Sequence, residues 1–238
     1  MTGYRDRIYA RYRAAGAASA EPSAGGLAFL RFVVGRHFPP ARDAAILELG
    51  CGAGYLMRCA REAGYAAITG IDASPEQVAE AARLGIAGVR EGDARAHMAA
   101  ATPGSLDAVV TFDLLEHLNK DETFALADDV HRALKPGGRW LIHTVNAESP
   151  FFGRVRYGDF THEQAFTAQA LDQILRIAGF AEVRCFEDHP IAHGLASALR
   201  RFAWVLVRAL RVAMLMVESG PSARRAILSQ NLLCVAIK

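Results

Sequence analysis

Short apolar runs and segments of helical period alternate along most of this chain. Residues 45–49, 67–71, 88–91, 106–112 and 139–145 are runs of strand length, and the stretches between them carry helical signals. Strands alternating with helices argue for a parallel sheet with helices on both faces. Residues 55–63 read as a helix stopping at Gly64, and residues 121–134 as one stopping at Lys135-Pro136-Gly137-Gly138. Between them Ser74-Pro75-Glu76-Gln77 opens a helix, with Ser74 as N-cap and Gln77 completing a capping box. Thr167 caps a further helix that ends at Gly179. Ahead of the sheet, residues 4–13 place Tyr4, Ile8, Tyr9 and Tyr12 near helical spacing, residues 14–26 are small and flexible, and residues 27–38 form a helix ending at Pro39-Pro40. The tyrosines either cap a substrate pocket or pack this arm onto the domain. The chain thus divides into a helical arm, residues 1–44, and one domain, residues 45–238, with a helical insertion at about 188–230.

The first strand leads into Gly50-Cys51-Gly52-Ala53-Gly54 and then directly into a helix. Such a turn aims backbone N–H groups at a ligand above the strand, and a Cβ on the glycines would block close approach. With Gly52 and Gly54 as the first two glycines of a dinucleotide fingerprint, Met57 stands where the third belongs. Glu48 lies two residues before Gly50, where a pyrophosphate would be repelled, so the ligand brings an amine or another positive group. Asp72 ends the second strand, 18 residues after Gly54, close to the spacing of an acid that grips a ribose. Ligands of parallel sheets sit beyond the carboxyl ends of the strands, which nominates Asp72, Asp93, Asp113, His117 and Asn146.

Composition narrows the class without changing it. At 238 residues, 52% apolar and 22% charged, the chain has room for one such domain and is not disordered throughout. A formal net charge of +2 gives no basis for a nucleic-acid partner. Cys51, Cys59, Cys185 and Cys234 include no Cys-x-x-Cys pair, so reduced thiols are expected, with neither a metal site nor a disulfide framework. The charged start Tyr4-Arg5-Asp6-Arg7 lacks the apolar core of a signal peptide, and the expected compartment is the cytoplasm.

Five segments in order, Glu48-Leu-Gly-Cys-Gly-Ala-Gly54, Gly70-Ile-Asp72, Glu91-Gly-Asp93-Ala94, Phe112-Asp-Leu-Leu-Glu-His117 and Lys135-Pro-Gly-Gly138, resemble the class I methyltransferases that use S-adenosyl-L-methionine. The resemblance covers residues 45–145 and implies a seven-stranded, mostly parallel α/β sheet. Its last strand would be antiparallel, with residues 181–187 and 231–237 as the hairpin. It also implies that Glu48, Gly50, Gly52 and Gly54 lie under the methionine portion of the cofactor. Asp72 with Ala73 would meet the ribose, Asp93 with Ala94 the adenine, and Phe112, Asp113 and Leu114 the methionine end.

Methyl transfer from a sulfonium is an in-line displacement, and a hydroxyl acceptor benefits from a positioned base. His117, Asp159 and His162 are the candidates, the last two on a polar, aromatic connection over residues 146–162 that shapes an acceptor pocket. For His117 a supporting hydrogen bond to the loop is an equal alternative, and His143, inside a strand, reads as core or edge structure. The expected acceptor is a small-molecule hydroxyl on a glycan, a quinone-like phenol or a lipid-associated compound. N- or C-methylation, or cofactor binding without catalysis, are the alternatives. Residues 196–217 form an apolar helix interrupted by Arg200, Arg201, Arg208 and Arg211 within an arc of about 100°. The arginines exclude a bilayer span, and the helix reads as a lid, a homodimer contact or a peripheral dock on the inner membrane face.

Overall fold

The computed structural model describes residues 3–12 and 21–238. Residues 13–20, most of the stretch expected to be flexible, lie outside the described residues.

Seven strands form one sheet: β1 (Ile46–Leu49), β2 (Ile68–Asp72), β3 (Val89–Glu91), β4 (Leu106–Phe112), β5 (Leu134–Val145), β6 (Glu182–Glu187) and β7 (Asn231–Ile237), in the order β3-β2-β1-β4-β5-β7-β6. The first five run parallel, and β7 enters antiparallel between β5 and β6. All four residues of β1 are buried, as a central strand covered on both faces demands. Helices α1 (Tyr4–Tyr9), α2 (Ala24–His37), α3 (Tyr55–Glu62), α4 (Pro75–Arg83), α5 (Ala94–Ala99), α6 (Lys120–Ala133), α7 (Phe152–Arg156), α8 (Ala168–Ile177) and α9 (Leu195–Ser219) surround it. Val33, Leu56 and Ala81 carry α2, α3 and α4 onto one face, and Met98, Leu126 and Leu171 carry α5, α6 and α8 onto the other. All four cysteines are free.

Several boundaries follow hydrogen bonding rather than the apolar pattern. β5 starts at Leu134 because Leu134 pairs with Leu106, and a register shift before Ala108 absorbs Lys135-Pro136-Gly137-Gly138. The capping box at Ser74 does not form. Ser74 holds the N-cap position, but its Oγ is buried without a partner, while its own N–H donates to Asp72 Oδ1 at 2.9 Å. The cap expected at Thr167 does form, and α6, for which the sequence suggested no cap, starts at Asn119, where Glu122 completes a reciprocal box.

Arg201, Arg208 and Arg211 of α9 turn towards the domain. Arg208 Nε donates to Glu187 Oε1 at 2.6 Å and its Nη2 to the Ala226 carbonyl. Arg211 reaches the Leu228 carbonyl, and Arg201 lies against His189 and the Pro190 carbonyl. The end of β6 and the loop before β7 leave a carboxylate and bare carbonyls that guanidinium groups satisfy better than water does. Only Arg200 of the four stays exposed. Among the described residues no helix is long and apolar enough to cross a membrane.

Candidate active site

The carboxyl ends of β1, β2, β4 and β5 open onto one cavity of about 1010 Å³. The turn after β1 forms its floor. Gly50, Gly52 and Gly54 all take positive φ, which only glycine adopts freely. A Cβ on Gly52 would meet no protein atom closer than 3.9 Å, so this residue bares its backbone to the cavity. Gly54 does not line it. A Cβ there would stand 2.8 Å from Ile86, so Gly54 lets α3 start close against its neighbours.

Four of the loop's five N–H groups are engaged within the protein, contrary to expectation. Gly50 and Cys51 donate to the Ile71 carbonyl, Gly54 to the Cys51 carbonyl, and Gly52 to Asp72 Oδ2 at 2.7 Å. A loop whose donors turn inward is a poor cradle for phosphate. Acceptors face the cavity instead. Among the described residues Glu48 Oε2, Ser74 Oγ and Asn231 Oδ1 are buried without partners, and all three residues line it. Burial, and then Asp72, push the Glu48 carboxyl well above its usual range. Burial also raises Asp72, opposed by the N–H groups of Ser74 and Gly52. Such a site awaits a ligand with donors and positive charge, which S-adenosyl-L-methionine has in its ammonium, sulfonium and ribose hydroxyls. The donor set fits. Ala73, Asp93, Ala94, Phe112, Asp113 and Leu114 also line the cavity, and Asp93 additionally caps α5 through the Ala96 N–H at 2.7 Å.

His117, Asp159 and His162 all line the cavity. Thr161 Oγ1 donates to Asp159 Oδ1 at 2.6 Å, so its oxygen accepts from His117 Nδ1 at 2.8 Å. That chain fixes the tautomer and leaves the His117 Nε2 lone pair without a partner among the described residues. Burial, and then His162, hold His117 down at about 4, so the ring is neutral in ordinary buffers. The His162 ring meets it edge-on at 4.6 Å and donates from Nδ1 to the Val155 carbonyl. Burial alone would raise Asp159, but bonds from Thr161 and Tyr12 outweigh it and keep the carboxyl low. Tyr12 donates to Asp159 Oδ2 at 3.0 Å, and Arg5 clasps Glu122 at 2.8 Å, so the tyrosine arm both packs on the domain and walls the cavity.

Three acidic or basic groups had no role assigned from the sequence. His143, taken for core, is buried in β5 but also forms cavity wall, with Nδ1 at 2.7 Å from Asp113 and Nε2 at 3.3 Å from Asp188. Burial opposes its charge, yet the two carboxylates raise it to about 10. Phe112 stacks on it at 4.4 Å. Glu116 accepts from Thr144 Oγ1 at 2.8 Å, and burial, then Asp113, push it to about 8. No local pattern marks Asp188; its meeting with His143 depends on β7 bringing β6 back beside β5.

Comparison with known proteins agrees with this geometry. A family model described as a methyltransferase domain matches residues 12–184. Ubiquinone biosynthesis O-methyltransferases are similar over a shorter stretch. The protein of Xylella fastidiosa (strain 9a5c) is 32% identical over 111 residues, 45% of this chain and 44% of that one. That of Xanthomonas oryzae pv. oryzae (strain PXO99A) is 37% identical over 107 residues, 43% and 44%. The match spans less than half the length of these relatives. Among solved structures, a SAM dependent methyltransferase from Archaeoglobus fulgidus superposes with TM-score 0.67 at 20% identity, covering 99% of this chain and 100% of that one. Phosphoethanolamine N-methyltransferase 2 of Haemonchus contortus, solved with S-adenosyl-L-methionine, gives 0.60 at 20% identity over 87% of this chain and 52% of that one. At such identities these structures speak for the fold alone. With the family model covering most of its length and the seven-stranded sheet in place, the chain belongs to the class I S-adenosylmethionine-dependent methyltransferases.

Proposed function

We propose that the protein methylates a hydroxyl group of a small aromatic acceptor. The observation that carries this reading is the His117–Thr161–Asp159 chain, which presents a neutral imidazole nitrogen to the cavity and places a carboxylate behind it. The bound cofactor supplies an electrophilic methyl group on a sulfonium. Glu48 and Asp72 would hold that cofactor by its cationic and hydroxyl donors, and the glycine turn would leave room for it. His117 Nε2 takes the acceptor's proton as the oxygen attacks, and Asp159, through Thr161, stabilises the imidazolium that forms. Tyr9, Tyr12, Phe29 and Phe112 offer flat surfaces to an aromatic ring. An amine acceptor would call on Asp113 and Asp188, but His143 already engages both. The O-methyltransferase names of the curated relatives lean the same way.

Mass spectrometry after incubation with methyl-labelled cofactor and a panel of phenols, quinols and amines tests the proposal. Transfer to oxygen is expected. His117→Gln should lower kcat by about 10²–10⁴-fold with unchanged cofactor affinity. Thr161→Val should give a smaller loss and shift the acidic limb of the pH–rate profile below its wild-type position near 4. Transfer to nitrogen, or wild-type kcat in His117→Gln, would overturn the assignment.

A further inference from the structure

With its arginines turned inward, α9 presents the opposite of an ordinary surface helix. Leu195, Leu199, Phe202, Leu206, Leu210, Met214 and Val217 are each more than half exposed. Val205 and Val207 are also exposed, and so are Ala203, Ala209 and Ala213 between them. Between Arg201 and Glu218 no charged side chain faces outward. At 100° per residue these positions cover about 200° of the circumference. At 1.5 Å per residue they run for about 33 Å. An apolar ridge of this size marks a surface that is covered in use.

The geometry points to a lipid bilayer surface as the cover, with α9 lying in the plane of the headgroups. A partner helix engages a stripe of about 100°, so a second copy of α9 would leave half the ridge in water. A bilayer interface covers a helix to about its axis, which matches the exposed arc. Charge agrees as well. Arg200 at one end, and Arg224 and Arg225 on the turn packed against the other, are exposed and suit anionic headgroups, with Glu218 as the acid beside them. The surface also continues towards the cavity. Arg211 stacks over Phe151 at 5.0 Å, Phe151, Tyr157 and Phe160 are exposed, and Arg154, Val155 and Gly158 of the same segment line the cavity. Docked this way, the protein holds its acceptor entrance at the apolar phase. The proposal concerns the surface and holds whichever atom is methylated.

Flotation on a density gradient with vesicles of phosphatidylcholine and phosphatidylglycerol tests it. The wild-type protein should rise with the vesicles. A variant carrying Phe202→Glu, Leu206→Glu and Leu210→Glu should lose at least about tenfold in partitioning, because three exposed apolar side chains no longer enter the interface. Its melting temperature and cofactor affinity should match the wild type, since none of the three packs on the domain. Arg224→Gln with Arg225→Gln should weaken binding to these vesicles but not to phosphatidylcholine alone. A wild-type protein that stays in the soluble fraction overturns the proposal. If it then sediments as a dimer that the triple glutamate variant splits, the ridge belongs to a second copy. Equal flotation of wild type and triple variant overturns it too.

Discussion

Glu48 is a carboxyl in a place that suits a carboxylate only when a cation is present. Alone, it is buried beside Asp72 with one oxygen unpartnered, and its proton is favoured far above the ordinary carboxylate range. A positive ligand reverses the preference, so binding and deprotonation are linked. S-adenosyl-L-methionine should therefore expel protons as it binds, and its affinity should rise with pH from the ordinary carboxylate range up to the raised value. Calorimetry in two buffers of different ionisation enthalpy measures the count. Glu48→Gln should bring that count close to zero and weaken binding by about tenfold to a hundredfold, the cost of losing a charged hydrogen-bond partner. A wild-type protein that binds with no proton release would show that Glu48 does not meet the cofactor's charge.

At the level of elements, what the sequence disclosed and what it hid have different physical origins. The strands delivering Glu48, Asp72 and Asp113 were legible because strand, turn and helix signals repeat at short range, and the carboxyl end of each strand is then determined. His117 was legible for the same reason. The packing role of Gly54 was hidden because a positive φ serves helix packing as well as ligand approach, and only the fold brings Ile86 beside it. For the arginines of α9, helical period gives an arc but not which way it faces; Glu187 and the carbonyls of Ala226 and Leu228 decide that. His143 was hidden because its partners come from β4 and from the end of β6. That pairing predicts a pH dependence of stability. The folded His143 is raised from 6.5 to about 10, so its contribution is complete below about 6.5 and is lost as pH rises through about 10. The melting temperature should therefore fall as pH rises across that window in the wild type. His143→Asn should flatten the dependence and cost about 3 kcal/mol at neutral pH, the low end for a buried pair because Asp113 opens to the cavity.

For the molecule as a whole, the placement of β7 orders events in time. β6 touches the sheet only through β7, which pairs with β5 on its other side. Until β7 docks, β5 has a bare edge, β6 has no neighbouring strand, and α9 with its apolar ridge is already part of the chain. A chain in that state displays its most apolar helix beside an unfinished sheet, and aggregation competes with folding. Chains stopped at residue 230 should accordingly be recovered in the insoluble fraction, and supplying lipid vesicles during translation in vitro should raise the soluble or vesicle-bound yield of the full chain. Arrival of residues 231–237 then does several things at once: it closes the sheet, brings Asp188 to His143, and sets Asn231 in the cavity wall. Closing the sheet and completing the cavity wall are thus a single event, and a chain that lacks β7 lacks both.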